Sequence, residues 1–205
     1  SIHGRTAGWL PLLAFHFMEN EDAPLPESVV ADLKHDLTSA DEKESNSFAR
    51  QSVISQINYL YQSARLYDEA HALLLAELDR SESPYYFMSS LSSLAEKREK
   101  TEAALEWRRK AYEVSTGAAT RFQWGASYIK AIIRLTPENN DLIVKTSIDL
   151  FAELKDEQSV FAGRNFRELS SLNQQLSAWQ DEQQEATLIE TFHARIQSMC
   201  EKQAL

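Results

Sequence analysis

The residue types that most often carry catalysis are sparse in this chain. Cys200 is the only cysteine, so the chain has no CxxC pair for dithiol exchange and cannot form an internal disulfide. Cys200 stands with Ile196 and Met199 on the apolar side of a helical pattern, which favours a core-filling role over a reactive thiol. Five histidines are scattered along the sequence: His3, His16, His35, His71 and His193. No two of them have the spacing that puts two metal ligands on one helical face, so no metal site is predicted.

Phosphate-binding and nucleophile motifs are missing as well. The five glycines form neither GxGxxG nor GxxxxGK, so no nucleotide or other cofactor is predicted. Gly125, Ala126 and Ser127 resemble the start of a nucleophile elbow, but no strand-turn-helix pattern surrounds them. We therefore predict no catalytic residues. A self-contained helical enzyme stays an alternative that no residue constellation supports.

Composition narrows the partners that the chain could take. The 205 residues are 43% hydrophobic and carry a formal net charge of −10, which repels nucleic-acid phosphates and anionic lipid at long range. The longest apolar stretch, residues 9–18, is about half the length that spans a bilayer, so no transmembrane helix is expected. Because the sequence starts with Ser1 and shows no signal-peptide pattern, we expect an excised domain or a mature form.

Apolar residues recur with the period of amphipathic helices along most of the chain. Clear stripes run through Leu33 and Leu37 and through Ile57 and Leu60. These segments are separated by residues that end or begin helices: Pro26, Pro84, Pro137, Asn139 and Asn140. Five glycines and five prolines in the whole chain are too few for a β fold with many turns. The pattern predicts an all-α fold of about eight to ten helices with almost no strand.

The helices recur with a period of about 34 residues. Ala70 and Ala104 occupy equivalent helix starts 34 residues apart, and the small or polar positions Asn58, Ser92 and Gly125 follow at similar intervals. This is the tetratricopeptide period, in which small residues allow two helices to approach closely. An irregular helical array stays the alternative, because Glu77 and Arg108 stand where small or apolar residues are usual.

The predicted architecture is a tetratricopeptide-like array of helical hairpins in a right-handed superhelix, forming a single domain over residues 1–205. Residues 1–44 would form N-terminal packing helices, 45–153 the hairpins and 157–203 a closing helical pair. The closing pair rests on two apolar stripes: Leu169, Leu172, Leu176 and Trp179, then Leu188, Ile189, Phe192, Ile196 and Met199. The apolar stretch from Trp9 to Phe17 would pack on the first hairpin or contact an upstream domain.

Such an array offers a concave surface lined by the first helix of each hairpin, where an extended peptide or a helix could lie. From the repeat register, the side chains expected to face this groove are Tyr59, Gln62, Ser89, Ser93, Lys97, Phe122 and Lys130. The partner would be a protein or peptide. The basic runs at 97–100 and 108–110 are interpreted as solvated helix surface, although an acidic partner could use them.

Three sequence strings carry a family resemblance: ARQSVI at 49–54, SPYYFM at 83–88 and ATRFQWGASY at 119–128. Together with the stretches at 69–78 and 103–107 and the pair Arg164 and Asn165, they resemble the C-terminal helical region of bacterial periplasmic thioredoxin-fold proteins of the disulfide-isomerase-like type. The resemblance covers about residues 9–200.

The resemblance implies a periplasmic, non-catalytic accessory module, since the CxxC of such proteins belongs to an upstream thioredoxin domain. Its partners would be client polypeptides, that upstream domain or a second copy of the chain. An alternative from a different class is a stand-alone peptide or small-ligand sensor, with Trp9, Phe15 and Tyr59 lining an apolar cavity.

Overall fold

A computed structural model of the chain describes residues 8–19, 23–43, 47–154 and 163–183, together with Thr6, Glu190, Ala194, Gln197 and Ser198. These residues contain nine helices and no strand, which confirms the predicted all-α class and helix number. The helices are α1 (Trp9–Glu19), α2 (Glu27–Lys43), α3 (Ser47–Ser63), α4 (Tyr67–Glu77), α5 (Tyr85–Lys97), α6 (Thr101–Val114), α7 (Ala118–Leu135), α8 (Asn140–Glu153) and α9 (Gly163–Gln183). No helix in this described part is long and apolar enough to cross a membrane.

Prolines and asparagines begin these helices where the sequence indicates breaks. The carbonyl of Pro26 accepts from Val30 N at the start of α2, and the carbonyl of Pro84 accepts from Met88 N at the start of α5. Asn139 caps α8, because its side-chain oxygen accepts from Leu142 N at 3.3 Å. The three helices therefore begin at the breaks that the sequence indicates.

The 34-residue period recurs in the helix boundaries and in the turn between helices. α3 ends at Ser63 and α5 at Lys97, while α4 and α6 begin four residues after those ends. Each turn places a non-glycine residue in the left-handed region, Arg65 at φ 59° and Glu99 at φ 57°. Equivalent backbone hydrogen bonds close the two turns. Leu66 N donates to Tyr61 O at 2.8 Å, and Lys100 N donates to Ala95 O at 2.9 Å. The right-handed superhelix stays a prediction.

The chain forms two compact units by its internal contacts, Ser1–Leu94 and Ala95–Leu205. In the first unit, α3 packs against α1, α2 and α4. Its core consists of aliphatic side chains from these helices, among them Leu13, Leu33, Leu37, Ile57 and Leu60. The arrangement buries the stripes that the helical period identified. The single-domain assignment over 1–205 stays a prediction.

In the second unit, α7 packs against α6, α8 and α9. Gly125 lies at the closest approach, since a Cβ built there would stand 2.5 Å from Leu150 Cδ1 and 3.0 Å from Tyr112 Cε2. The stripe at 169–179 is buried as predicted, and Trp179 Nε1 donates to the carbonyl of Pro137 at 2.9 Å. The second predicted stripe consists of residues that lie outside the described part of the chain: Leu188, Ile189, Phe192, Ile196 and Met199. The same holds for Cys200, His3 and His193.

Glu77, which departs from the repeat pattern, lies in a buried ion pair. It is 2% exposed at the end of α4, and its carboxylate receives two hydrogen bonds from Arg50 of α3, at 2.8 and 2.6 Å. The same guanidinium donates to the carboxylate of Asp41 at 2.6 Å. Three consecutive helices are therefore joined by one charge network.

Candidate functional site

The four predicted groove residues of the first unit lie on α3 and α5. Tyr59 is 55% exposed, and Gln62 donates to Asn58 Oδ1 at 2.9 Å. Ser89 and Ser93 are half-buried, and Ser93 Oγ donates to the carbonyl of Ser89 at 3.2 Å. These residues offer one exposed aromatic ring and several hydroxyl and amide groups.

The three predicted groove residues of the second unit differ from one another. Lys97 is exposed in the last turn of α5, and Lys130 forms an ion pair with Glu168 of α9. Phe122 is only 2% exposed, so its predicted place on an open surface is wrong. It precedes Ala126 and Ile129 by one and two helical turns, and this spacing places it on the core face of α7.

A groove in the first unit lies along the same two helices, toward their N-terminal ends. Its volume is about 690 Å³, and it is open to solvent along one side. We call it the Ser/Tyr groove, and it is lined by Gln51, Ser52, Ser55, Gln56, Ser83, Tyr85 and Tyr86. Among these described lining residues none is charged. Five of the lining residues, all except Ser55 and Gln56, fall in strings that carry the family resemblance, and the repeat register predicted none of them.

The tyrosine end of the Ser/Tyr groove is held by local hydrogen bonds. Pro84 precedes α5, and Tyr85 and Tyr86 form its first turn. The Tyr85 hydroxyl donates to Ser83 Oγ at 3.0 Å, and the two tyrosine rings lie with centroids 4.9 Å apart and planes tilted by 49°. On α3, Ser55 Oγ donates to the carbonyl of Gln51 at 2.7 Å. The groove thus has an aromatic end and an amide and hydroxyl wall.

A second pocket lies in the second unit at the start of α7. Its volume is about 320 Å³. We call it the α7 pocket, and it is lined by Gly117, Ala118, Arg121, Phe122, Leu150, Glu153 and Leu154. Apolar side chains and one ion pair make up this lining, which suits a small molecule with an apolar body.

The ion pair of the α7 pocket is fully engaged within the protein. Arg121 donates to both carboxylate oxygens of Glu153, each at 2.7 Å, and the Tyr112 hydroxyl donates to Glu153 Oε1 at 2.8 Å. The Arg121 hydrogen bond lowers the pKa of Glu153, while burial and the bond to Glu153 raise the pKa of Tyr112 above its usual range. Both shifts move these pKa values further from neutral pH.

Several charged side chains of the predicted basic runs are engaged on or near α6. Arg109 forms ion pairs with Glu106 and Glu113, and Lys110 lies 4.7 Å from the centroid of the Trp107 ring. Arg108 donates to Ser127 Oγ of α7 at 3.0 Å. Arg109 and Lys110 fit the interpretation of the second run as solvated helix surface, whereas Arg108, whose side chain is only 15% exposed, does not.

The three aromatic residues of the predicted apolar cavity do not enclose one. Trp9 is half-buried and its indole donates to Asp36 Oδ2 at 3.0 Å. Phe15 is 67% exposed, and Tyr59 also points largely to solvent. A cavity lined by these rings would require them to be mostly shielded from water.

The described residues bring no three His, Cys, Asp or Glu side chains together in a metal-binding group. His16 Nε2 lies 3.3 Å from the carbonyl oxygen of Ala23, a contact within the protein.

Comparison of the chain with protein-family models, with curated proteins and with solved structures gives no match.

Proposed function

We propose that this chain is a non-catalytic protein-interaction scaffold whose contact surface is the Ser/Tyr groove. The observation that carries the proposal is the uncharged lining of that groove, in a chain whose formal net charge is −10. Tyrosine is enriched at protein interfaces because its ring supplies contact area and its hydroxyl supplies a hydrogen bond. A polypeptide segment with few charges therefore suits the groove better than nucleic acid or a charged metabolite.

The second part of the proposal is the kind of protein in which this scaffold works. The resemblance to disulfide-isomerase-like proteins suggests a periplasmic accessory module that presents client polypeptides to a thioredoxin-fold domain or joins two copies of the chain. The test is to assay the full gene product for reduction of insulin disulfides with and without residues 1–205. A CxxC domain whose client reduction falls without this region supports the context, and a gene product without such a domain contradicts it.

Binding at the groove is tested with a reduced, carboxymethylated and fluorescein-labelled unfolded protein as the client. Fluorescence anisotropy would give its affinity for the wild-type chain and for Tyr86→Ala. We expect about a fivefold or greater loss of affinity, since truncating an interface tyrosine commonly has an effect of this size. The matched control is Phe166→Ala, which removes an exposed aromatic ring of the second unit that does not line the groove. Equal affinities for the wild type and Tyr86→Ala would contradict the proposal.

The α7 pocket favours a second candidate function, the binding of a small ligand with an apolar body. Phe122, Leu150 and Leu154 supply its apolar side, and the pair of Arg121 and Glu153 supplies its polar side. Ligand-observed NMR with benzamide as the probe would test it. We expect saturation transfer to benzamide in the wild type and its loss in Ala118→Phe, which fills the pocket. Transfer that is unchanged in the filled variant would exclude this pocket as the site.

A further inference from the structure

The hydrogen-bond donors that the Ser/Tyr groove offers to a ligand are mainly the amides of Gln51 and Gln56, each with two N–H groups. The Ser55 and Tyr85 hydroxyls already donate within the protein, to the Gln51 carbonyl and to Ser83 Oγ. No carboxylate, which can only accept when ionised, is among the described lining residues. The two glutamine amides are therefore the groups through which the groove would meet carbonyl acceptors on a ligand.

The recurring modes of peptide recognition differ in what they require from the receptor. Strand addition needs an exposed sheet edge, and the described part of the chain has no strand. Recognition of acidic or phosphorylated motifs needs an arginine cluster, and no described lining residue of the groove is basic. An amphipathic helix needs a continuous apolar floor, whereas the apolar surface here consists of the Tyr85 and Tyr86 rings.

A polyproline II segment requires what this groove supplies. Proline lacks a backbone N–H, so such a segment presents carbonyl acceptors along a helix that has no internal hydrogen bonds. Its pyrrolidine rings pack on aromatic side chains, and its fixed backbone reduces the entropy lost on binding. The tilted pair of Tyr85 and Tyr86, with ring centroids 4.9 Å apart, contributes aromatic surface to the groove lining.

We infer that the Ser/Tyr groove binds a proline-rich segment in the polyproline II conformation, an inference that rests on the proposed scaffold function. A pyrrolidine ring packs against Tyr85 and Tyr86, and peptide carbonyls accept hydrogen bonds from the Gln51 and Gln56 amides. The partner is thus defined by its backbone conformation and its lack of donors and not by charge.

The experiment measures fluorescence anisotropy of the full 205-residue chain with labelled peptides. One probe is a polyproline peptide of about ten residues, which adopts the polyproline II helix, and the other is a Gly/Ser peptide of equal length. We expect the polyproline peptide to bind about tenfold or more tightly than the flexible one. We also expect its affinity to change little between about 50 and about 500 mM NaCl, because no charges meet in the groove.

Variants then assign the binding to the groove. Tyr86→Ala and Gln56→Leu should each weaken polyproline binding by about fivefold, while Phe166→Ala leaves it unchanged. Circular dichroism of each variant establishes that it is folded, and Tyr86→Phe, which keeps the ring, should retain more affinity than Tyr86→Ala.

Three outcomes overturn the inference, and the first two differ in whether the scaffold proposal stands. If the unfolded client protein binds in a Tyr86-dependent manner but the polyproline peptide does not, the scaffold proposal stands and the polyproline assignment is wrong. If neither probe binds with a dependence on Tyr86, both the scaffold proposal for this groove and the inference fail. Binding that weakens steeply with salt would also contradict the assignment, because it would point to charged contacts.

Discussion

Replacing Glu77 with alanine should destabilise the first unit more than any surface substitution nearby. Glu77 is 2% exposed, and its carboxylate accepts hydrogen bonds from Arg50 at 2.8 and 2.6 Å. Arg50 is itself only 9% exposed, so the substitution leaves its guanidinium buried without its principal counter-charge. Breaking a buried pair by removing one partner costs about 3–5 kcal/mol. Asp41 still binds Arg50 in the variant, which places the expected loss near the lower end of that range, at about 3 kcal/mol.

Urea unfolding followed by circular dichroism would measure this loss as a shift in the midpoint at constant m-value. Arg80→Ala is the matched control, because Arg80 contacts the same Glu77 oxygen at 3.0 Å but its side chain is 58% exposed. A solvent-exposed pair contributes at most about 1 kcal/mol, so the control should shift the midpoint far less. The double variant Arg50→Met with Glu77→Leu should recover most of the stability, since neither charge remains buried. If Glu77→Ala costs no more than Arg80→Ala, the buried network does not stabilise the unit as argued.

Substitutions at three other features of the fold test them separately. Gly125→Ala would gain up to about 1 kcal/mol from helix propensity, but its new methyl group would stand 2.5 Å from Leu150 Cδ1, so we expect a net loss of about 1–3 kcal/mol in thermal unfolding that shrinks when Leu150 is also alanine. The pKa of Glu153 is lowered in the folded state, so its contribution to the free energy of unfolding is complete above its unfolded pKa and is lost as pH falls through the folded pKa. The stability of the wild type should therefore fall more than that of Glu153→Gln between about pH 5 and about pH 2. Glu99→Gly should raise stability by about 0.5–1 kcal/mol, because glycine adopts the left-handed conformation without the Cβ penalty. Arg65→Gly should gain less, because it also removes a guanidinium that lies 4.3 Å from the Phe17 ring centroid. A loss in Glu99→Gly would show that the native side chain stabilises its turn.

The sequence was sufficient to predict the helical class and the 34-residue spacing between two helix starts. Ala70 and Ala104, placed by their spacing at equivalent starts of two helices, are both fully buried, in α4 and α6. Leu172 and Leu176 are buried as their stripe predicted. These features depend on periodicity and side-chain size, which a sequence displays directly.

The candidate site was less accessible to prediction because it depends on which face of each helix stays uncovered. Phe122 was assigned to a surface by the repeat register, but its helical spacing to Ala126 and Ile129 places it in the core. The sequence drew attention to Tyr86 only as part of the SPYYFM string at 83–88, since one exposed tyrosine has no periodic signal of its own. The lining of a groove is a tertiary property, and one-dimensional spacing does not determine it.

The departures from the repeat pattern have a physical explanation that the pattern itself could not supply. Glu77 stands where the repeat pattern has a small residue, and its carboxylate accepts two hydrogen bonds from Arg50 of the preceding helix. Arg108 stands at an apolar position, and burial lowers its pKa while its guanidinium donates to Ser127 of the following helix. In both cases a polar side chain at a helix contact is paired with a specific neighbour. Since an apolar contact tolerates sliding between similar helices, we expect these buried hydrogen-bonded pairs to favour one register of the helices that they join.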